Sequence, residues 1–187
     1  MAVETEIKLR LPEGPARAIA LLEQHGFYAT GLRQLEIDQT FDLPTGELRQ
    51  SGRLLRLRSA GDRWIVTYKG PADPSVHHKS REEIETGVSD GAAFAQILER
   101  LGYRPSFAYE KFRTTFKAPG DDGIVTLDET PIGDFLELEG PGYWIDRTAV
   151  KLGFGRADYV TSSYATLYEE YRQTDAAVPR DMKFQHP

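Results

Sequence analysis

Polar side chains, most of them charged, recur at two-residue intervals along seven short segments of this sequence, and hydrophobic residues fill most of the positions between them. Successive side chains of a β-strand point to opposite faces, so residues two apart share a face. Glu4, Glu6 and Lys8 therefore lie on one face of a strand, whereas Ile7 and Leu9 lie on the other. The spacing predicts strands that are ionic on one face and apolar on the other.

The same alternation predicts eight strands, and the 3.6-residue period predicts the helices between and after them. The expected strands span residues 3–10, 35–43, 53–60, 62–69, 80–88, 108–117, 123–129 and 134–139. The expected helices span residues 15–25, 90–101, 146–152 and 160–173. We expect residues 1–173 to form a single domain and residues 174–187 to form a polar, frayed tail.

A solvated outer face is the ordinary explanation for charge on one side of an antiparallel strand. Here the polar positions are almost all ionic, and like charges adjoin on single strands, which costs stability unless they are compensated. Eight strands suffice to close a barrel, and the helices can cover its apolar outside. The sequence therefore predicts an α+β fold in which an eight-stranded antiparallel β-barrel forms a tunnel with a charged lumen, flanked by helices and a helical C-terminus.

The residues expected to face the lumen carry balanced charge, so an empty tunnel can be paired internally. Seven are basic: Lys8, Arg56, Arg58, Lys69, Arg81, Lys111 and Arg113. Seven are acidic: Glu4, Glu6, Glu83, Glu85, Asp128, Glu137 and Glu139. Arginine and lysine bind phosphate oxygens, and carboxylates grouped without histidine or cysteine favour Mg²⁺ or Mn²⁺. These residue types predict metal-assisted chemistry on a phosphate chain.

Composition narrows the remaining classes of function. Lys and Arg number 23 and Asp and Glu 29, giving a formal net charge of −6, which disfavours a coat for nucleic acid. The chain has no cysteine, which excludes disulfides, thiolate catalysis and cysteine-ligated metals. It has neither an apolar run of membrane-spanning length nor a signal-like N-terminus. We expect a cytoplasmic protein with no nucleic-acid or membrane partner.

The charged motifs also resemble a known family. The segment Glu-Thr-Glu-Ile-Lys at residues 4–8 is similar to the ExExK signature of the CYTH superfamily, the triphosphate tunnel metalloenzymes. Further motifs similar to the family's follow in order at residues 55–58, 67–71, 79–85, 110–113, 127–128 and 133–139. Ser163 and Tyr164 resemble the family's C-terminal segment.

This resemblance implies a divalent cation, Mg²⁺ or Mn²⁺, and a triphosphate substrate. The implied metal ligands are Glu4, Glu6, Asp128, Glu137 and Glu139. Our working hypothesis places one cation at the first two and a second near the other three. The implied triphosphate-binding residues are Lys8, Arg56, Arg58, Lys69, Arg81, Lys111 and Arg113. Glu83 and Glu85 are expected either to orient these basic residues or to join a second metal site. The catalytic candidates are Glu4, Glu6, Lys8, Lys69 and Asp128.

The motifs at residues 67–71 and 79–85 most resemble class IV adenylyl cyclases, lyases that convert ATP to cyclic AMP and pyrophosphate. Thr40 stands where family members often carry tyrosine, which disfavours a thiamine triphosphatase. A hydrolase acting on tripolyphosphate, thiamine triphosphate or a nucleoside triphosphate stays open, as does a non-catalytic binder of polyphosphate or nucleotides. The basic residues expected to face the lumen argue against a barrel that binds apolar ligands. The sequence leaves open whether the protein forms a homodimer.

Two other groups of side chains are expected to be structural. His77 and His78 lie in a polar loop and are expected to be solvated. Tyr164, Tyr168 and Tyr171 recur at helical spacing and are expected to pack against the barrel, with Tyr164 a further candidate for closing the tunnel.

Overall fold

The computed structural model describes residues 2–74, 77–174 and 177–185, and eight antiparallel strands within them close into a barrel. With one further strand outside the barrel, the strands of the described residues are β1 (Ala2–Leu11), β2 (Tyr28–Ala29), β3 (Gln34–Asp42), β4 (Leu54–Ala60), β5 (Arg63–Lys69), β6 (Lys79–Val88), β7 (Arg104–Lys117), β8 (Ile124–Thr130) and β9 (Gly133–Glu139). Around the barrel the order is β7-β3-β4-β5-β6-β1-β9-β8, and β8 pairs back onto β7. The short β2 lies outside the barrel on β7, so the predicted eight-stranded architecture is confirmed.

Five α-helices accompany the strands in the described part of the chain. They are α1 (Pro15–Gln24), α2 (Glu47–Gln50), α3 (Gly91–Arg100), α4 (Gly142–Lys151) and α5 (Tyr164–Thr174). The sequence periodicity did not predict α2 or β2, because four and two residues are too few to show a period. None of the helices in the described ranges is long and apolar enough to cross a membrane.

Helices cover the apolar outside of the barrel on two sides, and this covering turns the ionic faces inward. The outer side chains of β1, β8 and β9 form one core with α1 and α4, in which Ile7, Leu136 and Trp144 are fully buried. On the other side, Leu98 of α3 packs with Leu57 of β4. Each fully buried side chain of this size contributes about 1.5–3 kcal/mol.

The first residues of β1 and the neighbouring part of β6 lack such a cover on the outside of the barrel. Val3 is 66% exposed and Ile84 is 55% exposed. The helices therefore flank the barrel, as predicted, without covering its outside at these two residues. At this place the wall of the lumen consists only of the paired strands β1 and β6, in which Glu4, for example, lies opposite Arg81.

Two segments after the last strand complete the barrel wall. β1 pairs with β6 only as far as Glu6, and beyond it Val160 exchanges two 2.9 Å backbone hydrogen bonds with Lys8. Met182 occupies the corresponding gap beside β7, where its carbonyl accepts from the Glu110 N–H at 2.8 Å. Met182 is fully buried. Within the segment that the sequence predicts to be a polar, frayed tail, Met182 is thus held on β7, because unpaired backbone of that strand offers it partners.

Candidate active site

A cavity of about 590 Å³ occupies the barrel lumen. It is lined by thirteen of the fourteen side chains that the sequence assigns to the lumen: Glu4, Glu6, Lys8, Arg56, Arg58, Lys69, Arg81, Glu83, Glu85, Lys111, Arg113, Glu137 and Glu139. The remaining one, Asp128, lies in the wall behind Lys111 and Arg113 and is fully buried. The structure thus brings the predicted set together, and the charged lumen is confirmed.

Five further polar side chains belong to the same site but were missing from the predicted inventory: Glu36, Asp38, Thr40, Lys79 and Tyr109. Three of them alternate along β3, and Lys79 precedes the inward Arg81 by two residues on β6. The two-residue spacing that identified the other strands was therefore present in the sequence at these positions.

Asp128 of β8 organises two cations of β7. Lys111 Nζ donates to Asp128 Oδ2 at 2.7 Å, and Arg113 donates to both carboxylate oxygens at 2.6 Å. The Tyr164 hydroxyl donates to the same Oδ2 at 2.8 Å. Burial alone would raise the pKa of Asp128, but the Arg113 and Lys111 charges hold that pKa below its ordinary value. Asp128 therefore stays ionised and fixes both bases.

A second cluster fixes the arginines of β4. Arg58 donates to both oxygens of Asp38, at 2.8 and 3.0 Å, and its Nη1 lies 3.0 Å from Glu36. Arg56 Nη2 donates to the hydroxyl of Thr67 at 3.0 Å. Because Asp38 is fully buried, burial favours its neutral form, yet the charges of Arg58 and Arg56 hold its pKa below the ordinary value. Both guanidinium groups are thus oriented before any ligand binds.

Lysines from β1 and β6 converge on Glu6. Lys79 Nζ donates to Glu6 at 2.9 Å, and Lys8 Nζ lies 3.4 Å from Glu6 and 3.2 Å from Glu137. Burial would raise the pKa of Glu6, but the lysine charges lower it overall. Burial also lowers the pKa of Lys79 to about 8, since the ammonium has left water. Glu6 is therefore anionic at neutral pH.

Glu4 and Glu83 share one lysine at the neighbouring position of the lumen. Lys69 Nζ lies 2.9 Å from Glu83 and also contacts Glu4. Burial, together with a hydrogen bond to Glu83, raises the pKa of Glu4 to about 8. Glu4 therefore carries a proton at neutral pH, whereas the pKa of Glu83 is lowered because its hydrogen bonds to Glu4 and Lys69 outweigh its burial.

Glu139 has no ion-pair partner within the described residues. It stands directly opposite Glu6 across the β1–β9 ladder, and burial followed by the Glu6 charge raises its pKa. Glu4, Glu6, Glu137 and Glu139 thus form a row of oxygen donors on two adjacent strands, which suits a hard divalent cation. In residues 2–74, 77–174 and 177–185, however, no three acidic or histidine side chains lie close enough together to hold a metal ion. The described carboxylates mostly face lysine and arginine instead.

Tyr164 reaches the lumen from the first residue of α5. Its ring centroid lies 5.2 Å from Lys8 Nζ and 5.1 Å from Lys111 Nζ. Tyr164 and Tyr168 are both buried beside β7 and β9, in agreement with the packing prediction, whereas Tyr171 is about half exposed. Tyr164 therefore belongs to the site through its hydroxyl and through the face of its ring.

The histidine prediction is only half correct. His77 is exposed, as expected, but His78 is mostly buried and its Nε2 donates to Asp146 of α4 at 2.8 Å. The polar composition of the loop could not predict this contact, because Asp146 lies 68 residues further along the chain.

Comparisons with known proteins agree with this geometry. Residues 2–142 match the CYTH domain family. A protein of Methanocaldococcus jannaschii named "Putative adenylate cyclase" is 30% identical over 138 residues, which cover 73% of this chain and 76% of that protein. The structure of a "putative adenylate cyclase" from Vibrio parahaemolyticus has a TM-score of 0.77 at 21% identity, covering 89% of this chain and 97% of that one. A Hippeastrum protein described as a "putative adenylyl cyclase" with a dominant triphosphatase activity has a TM-score of 0.64 at 17% identity, covering 91% and 96%.

Proposed function

The chain belongs to the CYTH domain family, and from that membership we propose that it is a divalent-metal-dependent enzyme acting on a triphosphate held in the barrel lumen. The observation that carries this proposal is the enclosed set of eight lumen bases, most of which are already oriented by carboxylates. They are Lys8, Arg56, Arg58, Lys69, Lys79, Arg81, Lys111 and Arg113. Such a set matches the closely spaced negative charges of a phosphate chain.

Arg81 has a buried donor available for an anion. Its Nε is buried, yet it has no hydrogen-bond partner among the described residues. A buried donor without a partner costs free energy, and a phosphate oxygen in the lumen would supply the acceptor. We therefore assign Arg81 to phosphate binding together with Arg56 and Lys69, which line the same cavity.

Glu4, Glu6, Glu137 and Glu139 are the residues that we propose for the divalent cation. When bound there, the cation would neutralise phosphate charge and stabilise the transition state. Their lysine partners, Lys8, Lys69 and Lys79, would have to turn to the phosphates to free these oxygens, whereas Asp38 and Asp128 would keep their arginine partners in place. We propose a different role for Asp128, because its oxygens already accept hydrogen bonds from Lys111, Arg113 and Tyr164. Asp128 positions those two bases and does not serve as a ligand.

Cyclisation of ATP is the first candidate reaction. In it the ribose 3′-hydroxyl attacks the α-phosphorus, and pyrophosphate leaves. A second cavity of about 710 Å³ adjoins the lumen and shares Leu54 and Arg81 with it. Apolar side chains, including Leu55 and Phe107, line this second cavity, so it offers room for a nucleoside beside the phosphate chain. The name of the Methanocaldococcus jannaschii relative agrees with this reaction.

Triphosphate hydrolysis is the second candidate, because the same lumen bases would hold the phosphates while water attacks the terminal phosphorus. The activity stated for the Hippeastrum protein of similar fold favours it. The two reactions differ in the register of the phosphate chain along the lumen.

A substrate panel distinguishes these reactions. ATP, tripolyphosphate and thiamine triphosphate are each incubated with the protein and Mg²⁺ or Mn²⁺, and orthophosphate is resolved from pyrophosphate and cyclic AMP. We expect ATP to yield cyclic AMP and pyrophosphate in equal amounts. Orthophosphate as the main product would establish the triphosphatase instead. Binding without turnover of any of the three would contradict an enzymatic function.

The raised pKa of Glu4 predicts pH-dependent metal activation. Below its pKa of about 8 the Glu4 carboxyl is protonated, and a cation must displace that proton to bind. The apparent Mn²⁺ affinity should therefore rise by up to about tenfold per pH unit towards pH 8 and level off above it. Mn²⁺ titrations of activity between about pH 6 and about pH 9 measure this slope. Glu4→Gln should flatten the profile, and an equally steep slope in that variant would contradict the role of Glu4.

A further inference from the structure

Three side chains outside the lumen, those of His78, Arg156 and Tyr159, meet at Asp146 of α4. We refer to these four residues as the brace. His78 Nε2 donates to Asp146 Oδ1 at 2.8 Å, and the Tyr159 hydroxyl donates to the same oxygen at 3.0 Å. Arg156 Nη2 donates to Oδ2 at 2.8 Å. The rings of His78 and Tyr159 also pack together, with their centroids 6.0 Å apart. Asp146 thus ties together two chain segments that are distant in sequence.

Each of these segments continues directly into the lumen. Lys79 follows His78, donates to Glu6 at 2.9 Å and lines the cavity. Val160 follows Tyr159 and is bonded to the backbone of Lys8, and the chain then reaches the lumen residues 163–165. The brace therefore lies one residue from Lys79 and four residues from Ser163, both of which line the proposed phosphate site.

The helix that carries Asp146 is itself firmly anchored. Trp144, Ile145 and Ala149 of α4 are fully buried in the core that covers β1, β8 and β9. Asp146 is thus presented from a rigid element, and its partners His78 and Tyr159 lie on connecting segments. The hydrogen bonds consequently restrain the connecting segments against the helix, since the helix has the more extensive packing.

We propose that His78, Asp146 and Tyr159 are positioning residues that hold Lys79 and residues 160–164 in place for triphosphate binding. This inference rests on the proposed function. None of the three lines the lumen, so they act through Lys79 and through the segment that ends in Tyr164. A displacement of about 1 Å strongly weakens the contribution of a binding group to substrate binding. Loss of the brace contacts can therefore reduce triphosphate affinity even though the brace does not contact the triphosphate.

The test compares His78→Ala, Asp146→Asn and Tyr159→Phe with the wild-type protein. We expect the KM for the best substrate of the panel, and the Kd for tripolyphosphate with Mg²⁺, to rise about tenfold in the first two variants, the effect of about 1.4 kcal/mol. We expect kcat to change by less than about twofold, because the reacting groups stay in place. His78→Gln retains an N–H donor and should restore much of the affinity. Tyr159→Phe removes a single hydrogen bond and should give a smaller loss.

Amide hydrogen exchange provides a readout that needs no substrate. Exchange at residues 79–81 and at residues 160–163 should accelerate together in His78→Ala and Asp146→Asn. Arg147→Gln is the matched control, because Arg147 lies on the same helix in an exposed ion pair 3.6 Å from Asp121. It should leave both the exchange and the affinity unchanged.

Either of two results would overturn the brace: unchanged exchange in both segments, or faster exchange with an unchanged Kd and KM. The second would mean that the contacts are structural only. Failure of the wild-type protein to bind or turn over any triphosphate would instead count against the proposed function. Since exchange is measured without ligand, the two failures are distinguishable.

Discussion

Replacing Asp128 by asparagine is expected to lower the free energy of unfolding by about 3–5 kcal/mol, the cost of removing one partner from a buried ion pair. Lys111 is almost fully buried and depends on Asp128 for its shortest ion pair, and Arg113 donates to the same carboxylate twice. The neutral amide leaves both cations in a site from which water is largely excluded. Urea or thermal denaturation measures the loss.

The neighbouring Glu129 provides the control for this prediction. It pairs with Arg33, whose side chain is 48% exposed, on the outside of the barrel. Glu129 is itself 19% exposed, but Arg33 keeps its contact with water, so Glu129→Gln should cost about 1 kcal/mol, well below the cost of Asp128→Asn. If Asp128→Asn were as mild as Glu129→Gln, the ionic wall of the lumen would not have the organising role that we assign to it.

Glu6→Gln is expected to reduce kcat/KM by about 100-fold and to raise the Mg²⁺ or Mn²⁺ concentration needed for half-maximal activity. Glu6 pairs with Lys8 and Lys79 and lies opposite Glu139. Its negative charge therefore both positions two lumen bases and contributes to the proposed cation site. Activity is measured over a metal titration at fixed substrate concentration.

Glu13→Gln is the matched control for Glu6→Gln, since Glu13 forms an exposed ion pair with Arg17 far from the lumen. It should behave like the wild-type protein. Unchanged turnover and unchanged metal dependence in Glu6→Gln would remove Glu6 from the proposed ligands.

The two-residue charge spacing was sufficient to predict the closed barrel and most of its lumen. It reports which face a side chain takes, and that information is local to each strand. The pairing of a given base with a given acid depends on the register between strands, as in Arg113 with Asp128 across β7 and β8. That register is set by packing across the whole barrel, so these partners could not be predicted from the sequence.

The sequence patterns also did not predict how residues after the last strand complete the barrel wall. Val160 and Met182 complete the wall through isolated backbone bridges, which have no periodicity of their own. The contact of His78 with Asp146 depends in the same way on where α4 lies against the barrel. Such features arise from gaps that exist only once the strands have closed.

Binding of tripolyphosphate in the presence of Mg²⁺, followed by isothermal titration calorimetry, tests most directly whether the lumen holds a phosphate chain. We expect one tripolyphosphate per chain, with affinity reduced at least about tenfold in Arg56→Gln, which loses charge-assisted hydrogen bonds inside the lumen. Arg17→Gln, which changes an exposed arginine, should bind like the wild-type protein. Absence of binding, or equal affinity in Arg56→Gln and the wild-type protein, would contradict the account.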